Sequence, residues 1–97
     1  MFNKISIIGC GLIGSSILRA VKEKKLASVI SAYDKSPKVR EYLKKNFSAE
    51  ICTNISDVVK DSDLVIIASP LSSYKEILLS IQSNLKENVI LTDTGSA

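Results

Sequence analysis

Three glycines at fixed spacing are the most informative residues of this 97-residue chain. Gly9, Gly11 and Gly14 form the pattern G-x-G-x-x-G directly after a short apolar run at residues 5–8. The first glycine allows a sharp turn off a strand, the second leaves room for a phosphate against the backbone, and the third allows a helix to pack closely on a sheet. A phosphate held in this turn would meet free N–H groups at the positive end of a helix dipole.

An acid follows at the distance that this pattern requires for holding a ribose. Asp34 lies about 20 residues beyond Gly14, at the end of a second strand-like run over 28–33. A carboxylate there accepts hydrogen bonds from the 2′ and 3′ hydroxyls of an adenosine ribose and repels a 2′-phosphate, which predicts NAD rather than NADP. The neighbouring cation Lys35 favours the opposite preference. The alternative interpretation is that the glycines only make a tight turn and that Asp34 only caps the next helix.

Strand and helix signals alternate along the whole chain, with Ser36 and Pro37 as a strong start signal for the second helix. We predict strands over 4–8, 28–33, 50–52, 63–68 and 89–92, and helices over 12–25, 37–46, 56–60 and 72–85. Right-handed crossovers between parallel strands place such helices on both faces of one sheet. The sequence therefore predicts an α/β, Rossmann-like, doubly wound parallel sheet with strand order 3-2-1-4-5.

The periodicity of each helix predicts which side faces the sheet. The expected buried sides are Ile13, Ile17 and Val21 in the first helix, Val39, Tyr42 and Leu43 in the second, and Ile77, Leu78, Ile81 and Leu85 in the fourth. The charged residues of the second helix, Arg40 among them, are expected to face solvent.

A ligand of such a sheet binds off the carboxyl ends of the strands where the strand order reverses, here between strands one and four. The glycine turn and the loop that follows strand four should therefore face each other across one crevice. The predicted cofactor-binding residues are Gly9, Cys10, Gly11, Leu12, Ile13, Gly14, Asp34, Lys35, Ala68, Ser69 and Pro70.

Composition limits the number of domains, the kinds of partner and the location that we expect for this chain. With 45% hydrophobic and 24% charged residues, residues 1–97 are expected to form one folded domain. A net charge of +3 with few aromatic residues argues against nucleic acid as a partner. The apolar runs are too short for a membrane span or an export signal, so we expect a cytoplasmic protein. Cys10 and Cys52 predict neither a disulfide framework nor a metal site.

Four segments together resemble the cofactor domain of the prephenate and arogenate dehydrogenase family, over essentially the whole chain. They are I-I-G-C-G-L-I-G-S-S at 7–16, Y-D-K at 33–35, D-S-D-L-V-I-I-A-S-P at 61–70, and T-D-T-G-S at 92–96. Related Rossmann dehydrogenases share the first three segments, whereas the closing D-x-G-S discriminates better.

This resemblance implies oxidative decarboxylation of prephenate to 4-hydroxyphenylpyruvate in tyrosine biosynthesis, with NAD as cofactor and prephenate or arogenate as substrate. By the same resemblance Ser96 matches a catalytic serine beside the nicotinamide and the substrate hydroxyl, and Thr94 shapes that loop. The alternative for Ser96 is a chain end without a role.

The chain also departs from the family that it resembles. Members of that family continue into a segment with a catalytic histidine and a helical domain that forms a homodimer, whereas these 97 residues include no histidine. The resemblance thus implies a cofactor domain truncated before the helical dimerisation domain, inactive alone, with an exposed fifth strand that favours self-association. Two alternatives stay open: a related oxidoreductase of the hydroxyacid or pyrroline-carboxylate type, and a non-catalytic nucleotide-sensing module like those attached to potassium transporters.

Overall fold

The computed structural model of the chain describes residues 2–9 and 11–94, except for the side chain of residue 12. Two short 3-10 turns, Leu71–Ser73 and Gln82–Asn84, flank the last helix. The strands are Phe2–Ile8 (β1), Ala27–Tyr33 (β2), Glu50–Ile51 (β3), Leu64–Ile67 (β4) and Ile90–Asp93 (β5), and the helices are Leu12–Glu23 (α1), Pro37–Asn46 (α2), Ile55–Val58 (α3) and Tyr74–Ile81 (α4).

All five strands lie in one parallel sheet with the order β3-β2-β1-β4-β5, as the sequence predicts. The register places Ile8 beside both Tyr33 and Ile67, so the carboxyl ends of the three central strands finish in one row. Two further hydrogen bonds continue the ladder, from Gly9 N to the Tyr33 carbonyl and from Ala68 N to the Ile8 carbonyl, each at 2.8 Å. The loops that follow these strands therefore start side by side.

Helices cover both faces of the sheet because alternate residues of the central strand face opposite ways. One buried cluster joins β1 and β2 to α1 and α2, and the other joins β1 and β4 to α3 and α4. The first cluster contains Ile5, Ile7, Leu18, Val21, Ala32 and Leu43, and the second contains Ile8, Val58, Val59, Val65, Ile67, Ile77 and Ile81.

Three buried serine hydroxyls fasten α3 to the sheet. Ser6 Oγ lies 2.9 Å from Ser31 Oγ and also contacts Ser62 Oγ. The hydroxyls of Ser6 and Ser31 both donate to the carbonyl of Val58, at 2.5 and 2.8 Å. These polar groups have no access to solvent, so each hydrogen bond replaces one that water would otherwise supply.

A carboxylate ties three segments together at the amino end of the sheet, away from the crevice described below. Asp63 Oδ2 accepts hydrogen bonds from the backbone N–H groups of Asn3, at 2.7 Å, and Lys4, at 3.1 Å. Its Oδ1 accepts one from the Lys86 ammonium. The Lys86 ammonium, together with the Lys4 and Asn3 N–H groups, holds the pKa of Asp63 below its ordinary value.

The predicted buried sides of α1 and α2 need three corrections. Ile13 is 46% exposed, because it lies five residues before the buried Leu18 and so about 140° away around the helix. Tyr42 is 48% exposed, because it stands about 100° from Leu43, the buried residue of α2. Arg40 is half-buried rather than facing solvent, since it lies three residues before Leu43 and shares its face.

The segment after β4 is shorter as an α-helix than predicted. Instead of one helix over 72–85, a 3-10 turn follows Pro70, the α-helix runs over Tyr74–Ile81, and a second 3-10 turn ends at Asn84. The Asn84 side chain donates to the Ser56 carbonyl at 3.2 Å, which draws this last turn toward α3. Ile77 and Ile81 are buried as predicted, whereas Leu78 and Leu85 are only half-buried.

β5 is an edge strand in the described part of the sheet. It pairs with β4, and all four of its residues are exposed, with 53% of Ile90 open to solvent. The predicted exposure of this strand is therefore confirmed.

Candidate functional site

A crevice of about 490 Å³ opens at the carboxyl ends of β1, β2 and β4. Its position is the one that the reversal of strand order predicts, and its volume lies in the range of small-molecule sites. The described residues that line it are Ile8, Gly9, Gly11, Tyr33, Asp34, Lys35, Ile55, Ala68, Ser69, Pro70, Ser73, Glu76, Ile77 and Ser80.

Gly9 makes the sharp turn that ends β1. Its φ of +84° lies in the left-handed region, which a residue with a side chain rarely adopts. A Cβ atom at this position would also lie 2.9 Å from the Ser69 backbone nitrogen and overlap the Ser69 hydroxyl. The turn after β1 and the loop after β4 therefore pack together only because residue 9 is glycine.

Gly14 and Gly11 differ in what surrounds them. A Cβ atom at Gly14 would overlap the Gly9 carbonyl oxygen and approach the Ala68 methyl group to 3.5 Å, so this glycine permits the first turn of α1 to touch the strand ends. At Gly11 a Cβ atom would meet nothing within 4 Å. The absence of a side chain at Gly11 therefore leaves open space at the mouth of the crevice.

The start of α1 is suited to an anion. Gly11 is its N-cap residue, no side chain caps the helix, and its first turn contains no acidic residue. The first N–H groups of a helix lack intrahelical partners, and the positive end of its dipole favours negative charge. The open space at Gly11 together with these N–H groups fits a pyrophosphate.

Asp34 directly follows β2 and lines the crevice. Its Oδ1 accepts a hydrogen bond from the Ser36 backbone N–H at 2.9 Å, which forms a tight local turn. The cap of α2 is Ser36, whose hydroxyl accepts from Val39 N at 3.5 Å. Asp34 is thus not the residue that caps α2, and Lys35 beside it also lines the crevice.

The structure brings seven of the predicted cofactor-binding residues to this one crevice: Gly9, Gly11, Asp34, Lys35, Ala68, Ser69 and Pro70. Gly14 packs directly behind them against Gly9, whereas the exposed Ile13 is not among the described residues that line the crevice. Their roles in binding stay predictions.

Of the four other predicted site positions, only Thr94 is described with its side chain. Thr94 follows β5, and its backbone N–H donates to the Ile67 carbonyl at 3.2 Å, which places it at the same end of the sheet. Cys10, Ser96 and the side chain of Leu12 lie outside the described part of the chain. The catalytic role of Ser96 therefore stays a prediction.

One wall of the crevice was not predicted from the sequence. Ser73, Glu76, Ile77 and Ser80 line it from the segment after β4. Their spacing of i, i+3, i+4 and i+7 marks a single helix face, and this periodicity was the signal that could have identified them. Ile55 at the start of α3 also lines the crevice, and no motif distinguishes it in the sequence.

Within 2–9 and 11–94, no cluster of three His, Cys, Asp or Glu side chains is placed to hold a metal ion. Cys52 is a free cysteine, and burial raises the pKa of its thiol. None of the helices in these same residues is long and apolar enough to cross a membrane.

Several dehydrogenases have sequences similar to this chain. It is 38% identical over 97 residues to a cyclohexadienyl dehydrogenase of Zymomonas mobilis, covering 99% of this chain and 33% of the relative. It is 35% identical over 92 residues to an L-aspartate dehydrogenase of Methanocaldococcus jannaschii, covering 92% and 34%. It is 33% identical over 94 residues to a prephenate dehydrogenase of Lactococcus lactis, covering 96% and 26%. The chain thus spans about a third or less of the length of these relatives.

Solved structures share the fold at lower sequence identity. Prephenate dehydrogenase from Aquifex aeolicus, in complex with hydroxyphenyl propionate and NAD+, superposes with a TM-score of 0.85 at 24% identity, covering 96% of this chain and 33% of that one. The 3-hydroxyisobutyrate dehydrogenase of Mycobacterium tuberculosis gives a TM-score of 0.87 at 15% identity, covering 97% and 32%. The fold alone therefore does not distinguish between substrates.

The family whose sequence model matches residues 4–96 is described as NADP oxidoreductase, coenzyme F420-dependent. That match covers nearly the whole chain. The relatives named cyclohexadienyl and prephenate dehydrogenase confirm the resemblance predicted from the four sequence segments. The chain therefore belongs to the family described as NADP oxidoreductase, coenzyme F420-dependent, and its sequence is similar to those of a cyclohexadienyl and a prephenate dehydrogenase.

Proposed function

We propose that this chain is the NAD-binding domain of a dehydrogenase that acts on prephenate or arogenate. The observation that carries the proposal is that Gly11, with open space at the uncapped start of α1, and Asp34 line one crevice. A pyrophosphate and a ribose are joined in every dinucleotide, so one ligand can satisfy both features.

Each part of the crevice suits a different part of the dinucleotide. The N–H groups at the start of α1 would hold the pyrophosphate, and Asp34 would accept hydrogen bonds from the ribose hydroxyls. Ile55 and Ile77 give the crevice apolar surface against which a base can lie. The chemistry that NAD supplies when bound is acceptance of a hydride.

The preference for NAD rests on Asp34, because its negative charge repels a 2′-phosphate. Asp34→Asn keeps an oxygen that can accept from Ser36 N and removes the charge, so it should leave the turn intact. We expect this variant to bind NAD more weakly than the wild type and to lose most of its discrimination against NADP, as measured by calorimetry.

Glu41→Gln serves as the matched control, since Glu41 is an exposed acid on α2 and its loss changes the net charge by the same amount. Unchanged affinities of Asp34→Asn for both dinucleotides would remove Asp34 from the ribose site.

The reaction proposed for the whole enzyme is oxidative decarboxylation of prephenate, or oxidation of arogenate, in tyrosine biosynthesis by a cytoplasmic homodimer. The resemblance that supports this proposal includes Ser96 as a residue beside the substrate hydroxyl. None of the 97 residues is histidine, so the histidine base that the resemblance implies is not among them. We therefore expect the chain alone to bind cofactor without turning over substrate.

A domain exchange tests whether this chain can serve as the cofactor domain of a prephenate or arogenate dehydrogenase. The 97 residues would replace the matched segment of the Zymomonas mobilis relative, to which they are 38% identical. The proposal expects a hybrid that reduces NAD in the presence of prephenate or arogenate. A folded hybrid that binds NAD without oxidising either compound would contradict it.

The second candidate is an amino-acid dehydrogenase, favoured by the 35% identity to an L-aspartate dehydrogenase. The same exchange into the Methanocaldococcus jannaschii relative tests this candidate. Aspartate-dependent reduction of the dinucleotide by that hybrid, with an inactive prephenate hybrid, would make it the better assignment. The hydroxyacid and pyrroline-carboxylate alternatives would use the Ala68-Ser69-Pro70 wall equally well.

A further inference from the structure

One arginine closes the turn between β2 and α2. The Arg40 guanidinium donates from Nη1 to the Asp34 backbone carbonyl at 2.7 Å. It also lies over the Tyr33 ring, with Cζ at 5.9 Å from the ring centroid. A cation at this distance from an aromatic face is attracted to it, so the guanidinium has two independent reasons to stay in this place.

The backbone of the same turn is linked in a closed series of hydrogen bonds. Asp34 Oδ1 accepts from Ser36 N at 2.9 Å, and the Ser36 carbonyl accepts from Arg40 N at 3.1 Å. The Arg40 side chain then returns to the Asp34 carbonyl, six residues before its own position in the chain. The segment that follows Asp34 therefore holds both its side-chain carboxylate and its backbone carbonyl.

Tyr33 and Asp34, the two residues that the guanidinium contacts, both line the crevice, whereas Arg40 is not among its described lining residues. Without the guanidinium, the Asp34 carbonyl would lose this charged donor, and the turn that orients the Asp34 carboxylate would be less restrained. Lysine could not substitute fully, because a single ammonium cannot stack on the Tyr33 ring and donate in the plane of the carbonyl as a guanidinium does.

We propose that Arg40 is a positioning residue that holds Asp34 in the orientation in which its carboxylate meets the ribose hydroxyls of the cofactor. This inference rests on the proposed dinucleotide-binding function and adds a residue to it. Arg40 touches Asp34 and Tyr33 rather than the nucleotide, so its effect should reach only those parts of the ligand that Asp34 contacts.

The test compares 5′-ADP with 2′-deoxy-5′-ADP as calorimetric ligands of the 97-residue chain and of Arg40→Met. In the wild type, the missing hydroxyl should lower affinity by about tenfold or more, because it removes a hydrogen bond to a charged acceptor. In Arg40→Met, affinity for 5′-ADP should fall while affinity for the deoxy ligand stays nearly unchanged. The ratio between the two ligands should then drop below about threefold.

Lys38→Met is the matched control. Lys38 is an exposed cation on the first turn of α2, so this variant loses the same charge from the same helix. It should keep the wild-type ratio between the two ligands. Arg40→Lys should give an intermediate ratio, because it restores the charge without the planar fork, and it also serves if the methionine variant unfolds.

A ratio in Arg40→Met equal to that of the wild type would overturn the inference, whether or not both affinities fall together. A merely structural role predicts this equal loss, since general damage to the fold does not distinguish a hydroxyl from a hydrogen. Failure of the wild type to bind 5′-ADP at all would instead refute the proposed function, so the two failures are distinguishable.

Discussion

A methyl group added at Gly11 should abolish tight dinucleotide binding and leave the fold intact, whereas the same addition at Gly14 should damage both. The difference follows from the surroundings of each glycine. A Cβ atom at Gly11 meets nothing within 4 Å, while at Gly14 it overlaps the Gly9 carbonyl oxygen. The two variants therefore separate the two reasons for which the motif contains glycine.

The expected magnitudes follow from the same geometry. In Gly11→Ala, the unfolded chain loses about 0.4–1 kcal/mol of conformational freedom. Alanine is a poorer N-cap than glycine by roughly 0.5 kcal/mol, so the net change in the free energy of unfolding should be about zero. In Gly14→Ala, overpacking costs about 1–3 kcal/mol against a gain of about 1 kcal/mol in helix propensity, a net loss of up to about 2 kcal/mol.

Affinity for the dinucleotide should fall in Gly11→Ala. The methyl group of Gly11→Ala would occupy the open space proposed for the pyrophosphate and push it off the N–H groups of α1. Loss of one charge-assisted hydrogen bond costs about 1.5–3 kcal/mol, which is a fall in affinity of roughly 10-fold to 150-fold.

Urea unfolding and calorimetric titration with NAD measure the two effects on the same samples. Wild-type affinity for NAD in a folded Gly11→Ala variant would refute the assignment of this space to the pyrophosphate. A Gly14→Ala variant that is more stable than the wild type, as helix propensity alone would predict, would refute the packing argument.

Three further predictions concern stability, each measured by urea unfolding. Asp63→Asn should lower the free energy of unfolding at neutral pH. Because Lys86 depresses the folded-state pKa of Asp63, this loss should shrink as the pH falls below about 4. A loss that stays constant from about pH 3 to 7 would contradict this prediction. Ser6→Ala should cost about 1–3 kcal/mol by leaving buried hydroxyl and carbonyl groups short of a partner, and no loss would show that the serine cluster is unimportant. Ile81→Ala should lower the free energy of unfolding by about 2–5 kcal/mol because Ile81 is fully buried. Leu79→Ala, at a side chain that is 60% exposed, should lower it far less. Equal losses in the two variants would contradict the assignment of Ile81 to the core.

The order of the strands could be predicted because the sequence signals for strands and helices are local and alternate along the chain. Apolar runs bounded by Gly9, Asp34 and Pro70 mark the strand ends, and the handedness of crossovers leaves few arrangements of parallel strands. The position of the crevice followed from that order, since a reversal of strand order fixes where loops separate.

Side-chain burial was less predictable because it depends on how each short helix is rotated against the sheet. Tyr42 carries a large aromatic ring beside Leu43, yet the buried face of α2 is centred on Leu43 and leaves Tyr42 outside. Arg40 was assigned to solvent on its charge alone, although a guanidinium can lie over an aromatic ring and donate to a carbonyl at the same time.

The far wall of the crevice was missed for a related reason. The residues Ser73, Glu76 and Ser80 belong to no motif, and they meet the glycine turn only because β4 lies beside β1 in the sheet. The periodicity of these residues identifies them as one helix face once the fold is known. The sequence alone does not pair this face with the glycine turn, because the turn lies some 60 residues earlier in the chain.

We propose that one crevice holds a dinucleotide through the start of α1 and the carboxylate of Asp34. Calorimetric titration of the 97-residue chain with NAD and, separately, with NADP tests this proposal. We expect saturable binding of NAD and weaker or absent binding of NADP. Tighter binding of NADP would mean that Lys35 outweighs Asp34, and a folded sample that binds neither dinucleotide would contradict the claim itself.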